Sequence, residues 1–271
     1  MRTIAHIIKP VLVNETSDLF VAQPVTFESM RRARAFAAGQ VEVELVSAQH
    51  PEDHPVVPQD FQVTPDLQRT VMDVGTFQKP RRLALIADIL DRLYEASQAE
   101  YFIYTNVDIA LMPHFYTSVN AIIDSGHDAF VINRRTIPAQ YDRPEQLPLM
   151  YAEVGDKHEG HDCFVFRREV YPQYRLGTIC IGTAMIGRAM IWNLICHARN
   201  FHEFKRKHLT FHIGNGLVWQ KEEFLDYYEH NKNEAAKIKQ DIERAFAPFP
   251  NGDPFVYYPL EVNALQNKGK R

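Results

Sequence analysis

Short apolar runs alternate along this chain with longer stretches whose apolar residues recur every three or four positions. Residues 4–8 are apolar up to Lys9 and Pro10, which predicts a buried strand. Residues 24–38 open on Pro24 and close at Gly39, the asymmetry of a helix. Residues 41–46 alternate Val-Glu-Val-Glu-Leu-Val and predict a strand with one wetter face. Residues 50–65 are rich in Pro, Asp and His and read as a loop. Residues 83–97 carry apolar positions at helical spacing, and residues 100–105 a central strand. A helix over 115–125 stops at Gly126, and a strand follows over 128–133. Residues 134–160 are polar, hold three prolines and read as a long surface excursion. A strand at 163–166, one or two helices over 181–198, a strand at 209–213 and a long charged helix over 221–247 complete the pattern. Strands that alternate with helices predict an α/β fold: an open, mostly parallel sheet flanked by helices. We read residues 1–262 as a single domain and the polar, basic residues 263–271 as a disordered tail.

Composition narrows the class. With 45% apolar and 11% aromatic residues, the chain has enough material for a large core, which excludes disorder as the main state. Lys and Arg number 30 against 34 Asp and Glu, a formal charge of −4, which speaks against a nucleic-acid binder. The three cysteines are an odd number without a C-x-x-C pair. They suggest neither a disulfide framework nor a zinc knuckle, and they fit a reducing, cytoplasmic setting. The most apolar window, residues 177–198, contains Arg188 and three glycines, so it reads as buried core and not as a transmembrane segment. The N-terminal apolar run breaks too early for a signal peptide.

Open α/β sheets bind ligands at the carboxyl ends of their strands. The strand over 101–105 runs into Asn106-Val107-Asp108, which places two oxygen-bearing side chains at i and i+2. Such oxygens suit Mg²⁺ or Mn²⁺; an Asx turn closing the strand is the alternative reading. Lys79, Arg81 and Arg82 precede the helix at 83, where a helix N-terminus with cations suits a diphosphate, or they form a solvated charged face. Arg134 and Arg135 follow the strand at 128–133 and could hold a phosphate or an acidic acceptor, or pair with acids of the same loop. Residues 181–187 contain G-x-x-x-x-G without the G-K-[ST] ending of a P-loop, which suggests close helix packing. No G-x-S-x-G or H-E-x-x-H signature occurs.

The stretch Tyr-Thr-Asn-Val-Asp-Ile at 104–109 resembles the D-x-D turn of GT-A fold glycosyltransferases, in the variant whose first acid is Asn. Gly-His-Asp-Cys-Phe-Val-Phe at 160–166 resembles the strand that bears an acceptor-side acid in several such families. Thr-Phe-His-Ile-Gly-Asn-Gly-Leu-Val-Trp at 210–219 resembles the C-terminal histidine element that completes the metal site in some of them. As a pattern the resemblance covers about residues 1–220, and bacterial members are the nearest in kind.

The resemblance implies a nucleotide-sugar transferase that uses Mn²⁺ or Mg²⁺. Asp108 would be the main metal ligand, with Asn106 beside it and His212 downstream. Asp162 would be the general base on the acceptor hydroxyl, with Glu159 as its rival. A UDP- or GDP-type donor would lie near the loop after Lys9, at Pro10, Asn14, Thr16 and Ser17, with Asp73, Lys79, Arg81 and Arg134 as further nucleotide contacts. The acceptor would be a glycan or a small hydroxyl compound. Asn106 in place of an acid leaves metal independence open. Two alternatives also stand. One is a nucleotidyltransferase or sugar-nucleotide hydrolase, although residues 11–16 lack the glycine-rich basic loop of the former. The other is a non-catalytic glycan- or protein-binding module.

Overall fold

A computed structural model describes residues 1–216, 222–249 and 252–260. The expected tail at 263–271 and residues 217–219 of the histidine element lie outside the described residues. The chain opens with β1 (Arg2–Ile8), α1 (Leu19–Phe36) and β2 (Val41–Ser47). Next come β3 (Gln62–Val63), α2 (Ile86–Ala96), β4 (Tyr101–Thr105), β5 (Ala110–Leu111) and α3 (Phe115–Asp124). Then follow β6 (Ala129–Ile137), α4 (Leu147–Ala152), β7 (Asp156–Arg167) and α5 (Ile186–His197). The last elements are β8 (Phe201–Phe204), β9 (Thr210–Ile213), α6 (Leu225–Phe246) and α7 (Pro254–Tyr257).

The strands form one sheet in the order β3-β2-β1-β4-β7-β6-β9-β5, with β8 joined to β6. Five of its eight pairings are parallel, and the three antiparallel ones are β4–β7, β6–β7 and β5–β9. The open, mostly parallel α/β sheet flanked by helices is therefore present. Side-chain alternation divides the strands between two layers. Ala5, Ile7, Phe102, Tyr104, Phe164 and Phe166 pack with α2, α5 and α6 on one face. Ile4, Ile8, Ile103 and Val165 pack with α1 and α3 on the other.

Several boundaries differ from the sequence reading. Helix α1 begins at Leu19, so Pro24 lies inside it and does not open it. Pro24 is the sixth residue of the helix, so it forgoes the i→i−4 bond to the Phe20 carbonyl. Residues 134–160 are not one excursion: β6 runs on to Ile137, β7 starts at Asp156, and the two pair through Arg135 with Lys157 and Thr136 with Asp156. Their polar side chains hid the strands, because only the backbone pairing is sheet-like there. The loop at 50–65 contains a 3-10 turn (Pro51–Val56) and β3. The two-residue β3 and β5 and the four-residue β8 are too short to show a period. No helix among the described residues is long and apolar enough to cross a membrane.

Strand order reverses direction between β1 and β4, and that junction is braced by a buried polar side chain. His6 on β1 is fully buried; its Nδ1 meets the Tyr116 hydroxyl and its Nε2 the Thr105 hydroxyl, each at 2.9 Å. A neutral ring, with one N–H and one lone pair, satisfies both. Burial lowers the His6 pKa from 6.5 to about 3. The unfolded chain therefore takes up a proton below 6.5 that the folded chain refuses until about 3. This part of the stability is present above the unfolded value and is lost as pH falls through that window. The His6 ring should show no titration by NMR between about pH 7 and about pH 5. A midpoint near the ordinary histidine value would refute the assignment.

Candidate functional site

In open sheets of this kind, ligands bind beyond the carboxyl ends of the strands where the order reverses. Here β1 and β4 flank that point, and β7 runs antiparallel between β4 and β6. β7 therefore carries Asp162 to the carboxyl end of β4 and alongside the middle of β6. The Asn106 N–H donates to the Asp162 carbonyl at 3.4 Å, which extends the β4–β7 pairing by one step. The Asn106 side chain repeats the contact: Nδ2 donates to Asp162 Oδ1 at 3.0 Å, and Oδ1 accepts from the Tyr104 hydroxyl at 3.0 Å. From the other side, Arg134 Nη1 donates to Asp162 Oδ2 at 2.8 Å. His158 accepts from the Gly160 N–H at Nδ1, 2.8 Å away, and its Nε2 lies 3.4 Å from Arg134 Nη2. Burial, then the Arg134 charge, lowers the His158 pKa.

A second pair stands beside this chain of contacts. Asp108 Oδ2 is 3.3 Å from His212 Nε2, and His212 Nδ1 donates to the Gly214 carbonyl at 2.7 Å. Gly214 has φ +71°, a conformation that suits glycine and brings its carbonyl back to the ring. Burial disfavours both charges. For Asp108, the contact with His212, the imidazolium charge and Arg134 outweigh burial and hold the carboxyl below its usual range. For His212, the contact with Asp108 and its charge outweigh burial and raise the pKa. Asp108 Oδ1 is shut away from water and has no partner.

The unpartnered oxygen bears on the expected metal. A ligating histidine commonly donates its other ring N–H to a carbonyl, as His212 does to Gly214. Asp108 and His212 therefore fit a divalent cation that would take its remaining ligands from water and phosphate. Asn106 does not complete a set of three protein ligands, because its amide is already engaged by Tyr104 and Asp162. Among the described residues no group of three or more His, Cys, Asp and Glu is arranged to hold a metal.

The other expected residues fall into two groups. Lys9 and Pro10, at the end of β1, are buried. Lys9 Nζ donates to Asp53 Oδ2 at 2.7 Å, and burial lowers the lysine pKa. Asp53 also accepts from the Leu12 N–H at 2.7 Å and so fixes the loop after β1. Burial works against the Asp53 charge, but His50 and Lys9 outweigh it and lower its pKa. Asn14 caps its own turn by accepting from the Thr16 N–H at 3.1 Å, and the Ser17 hydroxyl accepts from the Leu19 N–H at 3.3 Å. Asp73 accepts from the Thr70 N–H at 2.7 Å and closes a 3-10 turn. Lys79 and Arg81 both pair with Glu223, at 2.6 and 2.5 Å, and Arg82 pairs with Glu52 at 3.1 Å. These cations are thus bound to acids beside α6 and in the loop after β2. Glu159 is exposed.

Sequence reasoning passed over Asp53, His158 and Glu203. Asp53 had a visible signal, an acid in a proline-rich turn just beyond a strand end. His158 and Glu203 had none, since their strands were read as loop or not at all.

No protein-family model and no curated protein matches the sequence. Solved structures are similar at low identity. S. aureus TarS 1-349 in complex with UDP-GlcNAc aligns at 11% identity and a TM-score of 0.48, over 90% of this chain and 71% of that one. The same protein in complex with UDP aligns at 11% identity and 0.48, over 95% and 75%. A further S. aureus TarS structure aligns at 11% and 0.47, over 90% of this chain but 42% of that one.

Arg134 and Asp162 are only 11% and 12% exposed, so each needs the other. Replacing Arg134 by Met should destabilise the protein by about 3–5 kcal/mol in urea unfolding, because it strands a buried carboxylate. Adding Asp162→Asn should recover part of that loss. Additive destabilisation would show that the two charges do not depend on one another.

Proposed function

We propose that the chain is a glycosyltransferase of GT-A type that moves a sugar from a nucleoside-diphosphate donor to an acceptor hydroxyl. The observation that carries this reading is the convergence of Asp108–His212 and Asn106–Asp162–Arg134 at the strand-order reversal, with one Asp108 oxygen unpartnered. The resemblance of residues 104–109, 160–166 and 210–219 to that group's elements supports it.

In the proposed reaction the bond between the sugar's anomeric carbon and the diphosphate oxygen breaks. A new bond forms from that carbon to the acceptor oxygen, and the acceptor proton passes to Asp162. A Mn²⁺ or Mg²⁺ ion held by Asp108 and His212 would neutralise the charge of the leaving diphosphate. Asp162 is the acceptor-side base: a carboxylate has about four lone pairs, and Asn106 and Arg134 occupy two directions. Arg134 contributes positive charge beside Asp108 and orients Asp162. Lys9 and Asp53 fix the loop after β1, beside which the donor would lie.

Mn²⁺ together with UDP or GDP should raise the melting temperature above either alone, since a ligand that binds only the folded state stabilises it. Failure of every nucleoside diphosphate to shift it would sink the proposal. Asp108→Ala should abolish the Mn²⁺-dependent part of the shift. An unchanged shift would move the metal elsewhere, and a full shift without Mn²⁺ would favour the metal-independent reading that the engaged Asn106 amide keeps in view. Asp162→Asn should keep the donor-induced shift but cut transfer by about 10²–10⁴-fold, measured as product formed from a nucleotide-sugar panel. Collapse of donor affinity instead would place Asp162 in the donor site.

A further inference from the structure

Glu203 sits on β8, a strand without any feature that marks it as functional, and its side chain is only 7% exposed. Four groups converge on its carboxylate. Asn133 Nδ2 donates to Oε1 at 3.0 Å, and His161 Nε2 lies 3.0 Å from the same oxygen. The Tyr258 hydroxyl donates to Oε2 at 2.7 Å, and Lys205 Nζ stands 3.3 Å from it. Burial works against this charge, but the contacts with His161, Tyr258 and Asn133 hold the carboxyl down at about 2.

Two of those partners have informative neighbours in the chain. Asn133 precedes Arg134 on β6, and His161 precedes Asp162 on β7. Asn133 and His161 are themselves register partners, at a place where the β6–β7 ladder is interrupted by bulges on either side of Asn133. Backbone pairing alone therefore fixes Arg134 and Asp162 less firmly than it would in a regular ladder. One carboxylate grips the residue before each of them.

The third partner comes from the far end of the chain. Trp192 Nε1 donates to the Tyr258 carbonyl at 2.8 Å, and Arg188 Nε donates to the Pro259 carbonyl at 3.1 Å. Phe255 packs edge-on against Trp192, with ring centroids 5.0 Å apart. Helix α5 comes close to β7 here, since a Cβ on Gly187 would lie 3.1 Å from the His161 Cβ. Phe255, Tyr258 and Pro259 are thus seated on α5, with the Tyr258 hydroxyl on Glu203.

We infer that Glu203, held from the C-terminal segment by Tyr258, is a positioning residue for the Arg134–Asp162 pair. The inference rests on the transferase reading for its effect on turnover, but its structural core is a coupling between Glu203 and Asp162. Glu203 touches neither substrate nor the reacting atoms; it sets the register of the strand positions that do. An error of about 1 Å in such a pair costs turnover much more than it costs donor binding.

The test uses the full chain with Glu203→Gln and Tyr258→Phe. Tyr258→Phe removes a single hydroxyl and serves if Glu203→Gln folds poorly. Nucleoside diphosphate affinity, kcat and KM are measured for both, with release of nucleoside diphosphate from a sugar-nucleotide panel as the readout. The expected result is a nucleotide Kd within about twofold of the parent and a kcat lower by about ten- to a hundredfold. A folded Tyr258→Phe variant with unchanged kcat, or one that loses nucleotide affinity instead, would overturn the inference. If the parent turns over no donor, the transferase reading fails, and unfolding still tests the coupling. In a cycle of Glu203→Gln with Asp162→Asn, the double variant's unfolding constant should depart more than about threefold from the value the single variants predict. Additive unfolding constants would overturn the coupling itself.

Discussion

One strand that runs against its neighbours shapes the whole site. β7 lies antiparallel between β4 and β6, so the midpoint of its path passes the carboxyl end of β4 and the middle of β6. A purely parallel sheet would present only strand termini and loops there. With β7 inserted, an acid within a strand meets the turn after β4 through backbone and side chain at once. Asp162 is held by ladder geometry, and a residue on a strand is placed more precisely than one on a loop. β9 completes the arrangement by running parallel to β6, with Thr136 opposite His212. That pairing brings a histidine 104 positions downstream of Asp108 into contact with it.

The second organising feature is the pairing of buried charge. Lys9 with Asp53, Arg134 with Asp162 and His212 with Asp108 each set a basic group against an acid. Taking an ion out of water costs several kcal/mol, and only close partners return it. All three pairs lie at the carboxyl-end side of the sheet and not in the apolar layers. Within this set, Asp108 alone keeps a carboxylate oxygen with no partner.

Much of this was legible in the sequence, for definite physical reasons. β1, β2, β4 and α2 were visible because buried strands and amphipathic helices leave periodic apolar patterns. The turn after β4 was visible because polar residues directly follow a buried strand. The extension of β6 and the start of β7 were not, because their side chains are polar and their order comes from pairing with partners distant in the chain. The same reason hid Glu203 and His158. At Lys79 and Arg81 a cationic run before a helix read as a phosphate site or a charged face, and the structure pairs both with Glu223, some 140 residues away and beyond the reach of any local pattern. Asp73 likewise serves its own turn.

The ends of the sheet carry a consequence for how this molecule meets others. Its outer strands β3, β5 and β8 are two, two and four residues long. The Leu111 N–H on β5 is taken by the Ser29 hydroxyl at 2.9 Å, and Lys205, Arg206 and Lys207 directly follow β8. Short edges, capped backbone and adjacent lysines all discourage another chain from adding a strand. Backbone templating is therefore a poor route to self-association through these strands, and a companion molecule would have to be recognised there by the side chains it meets.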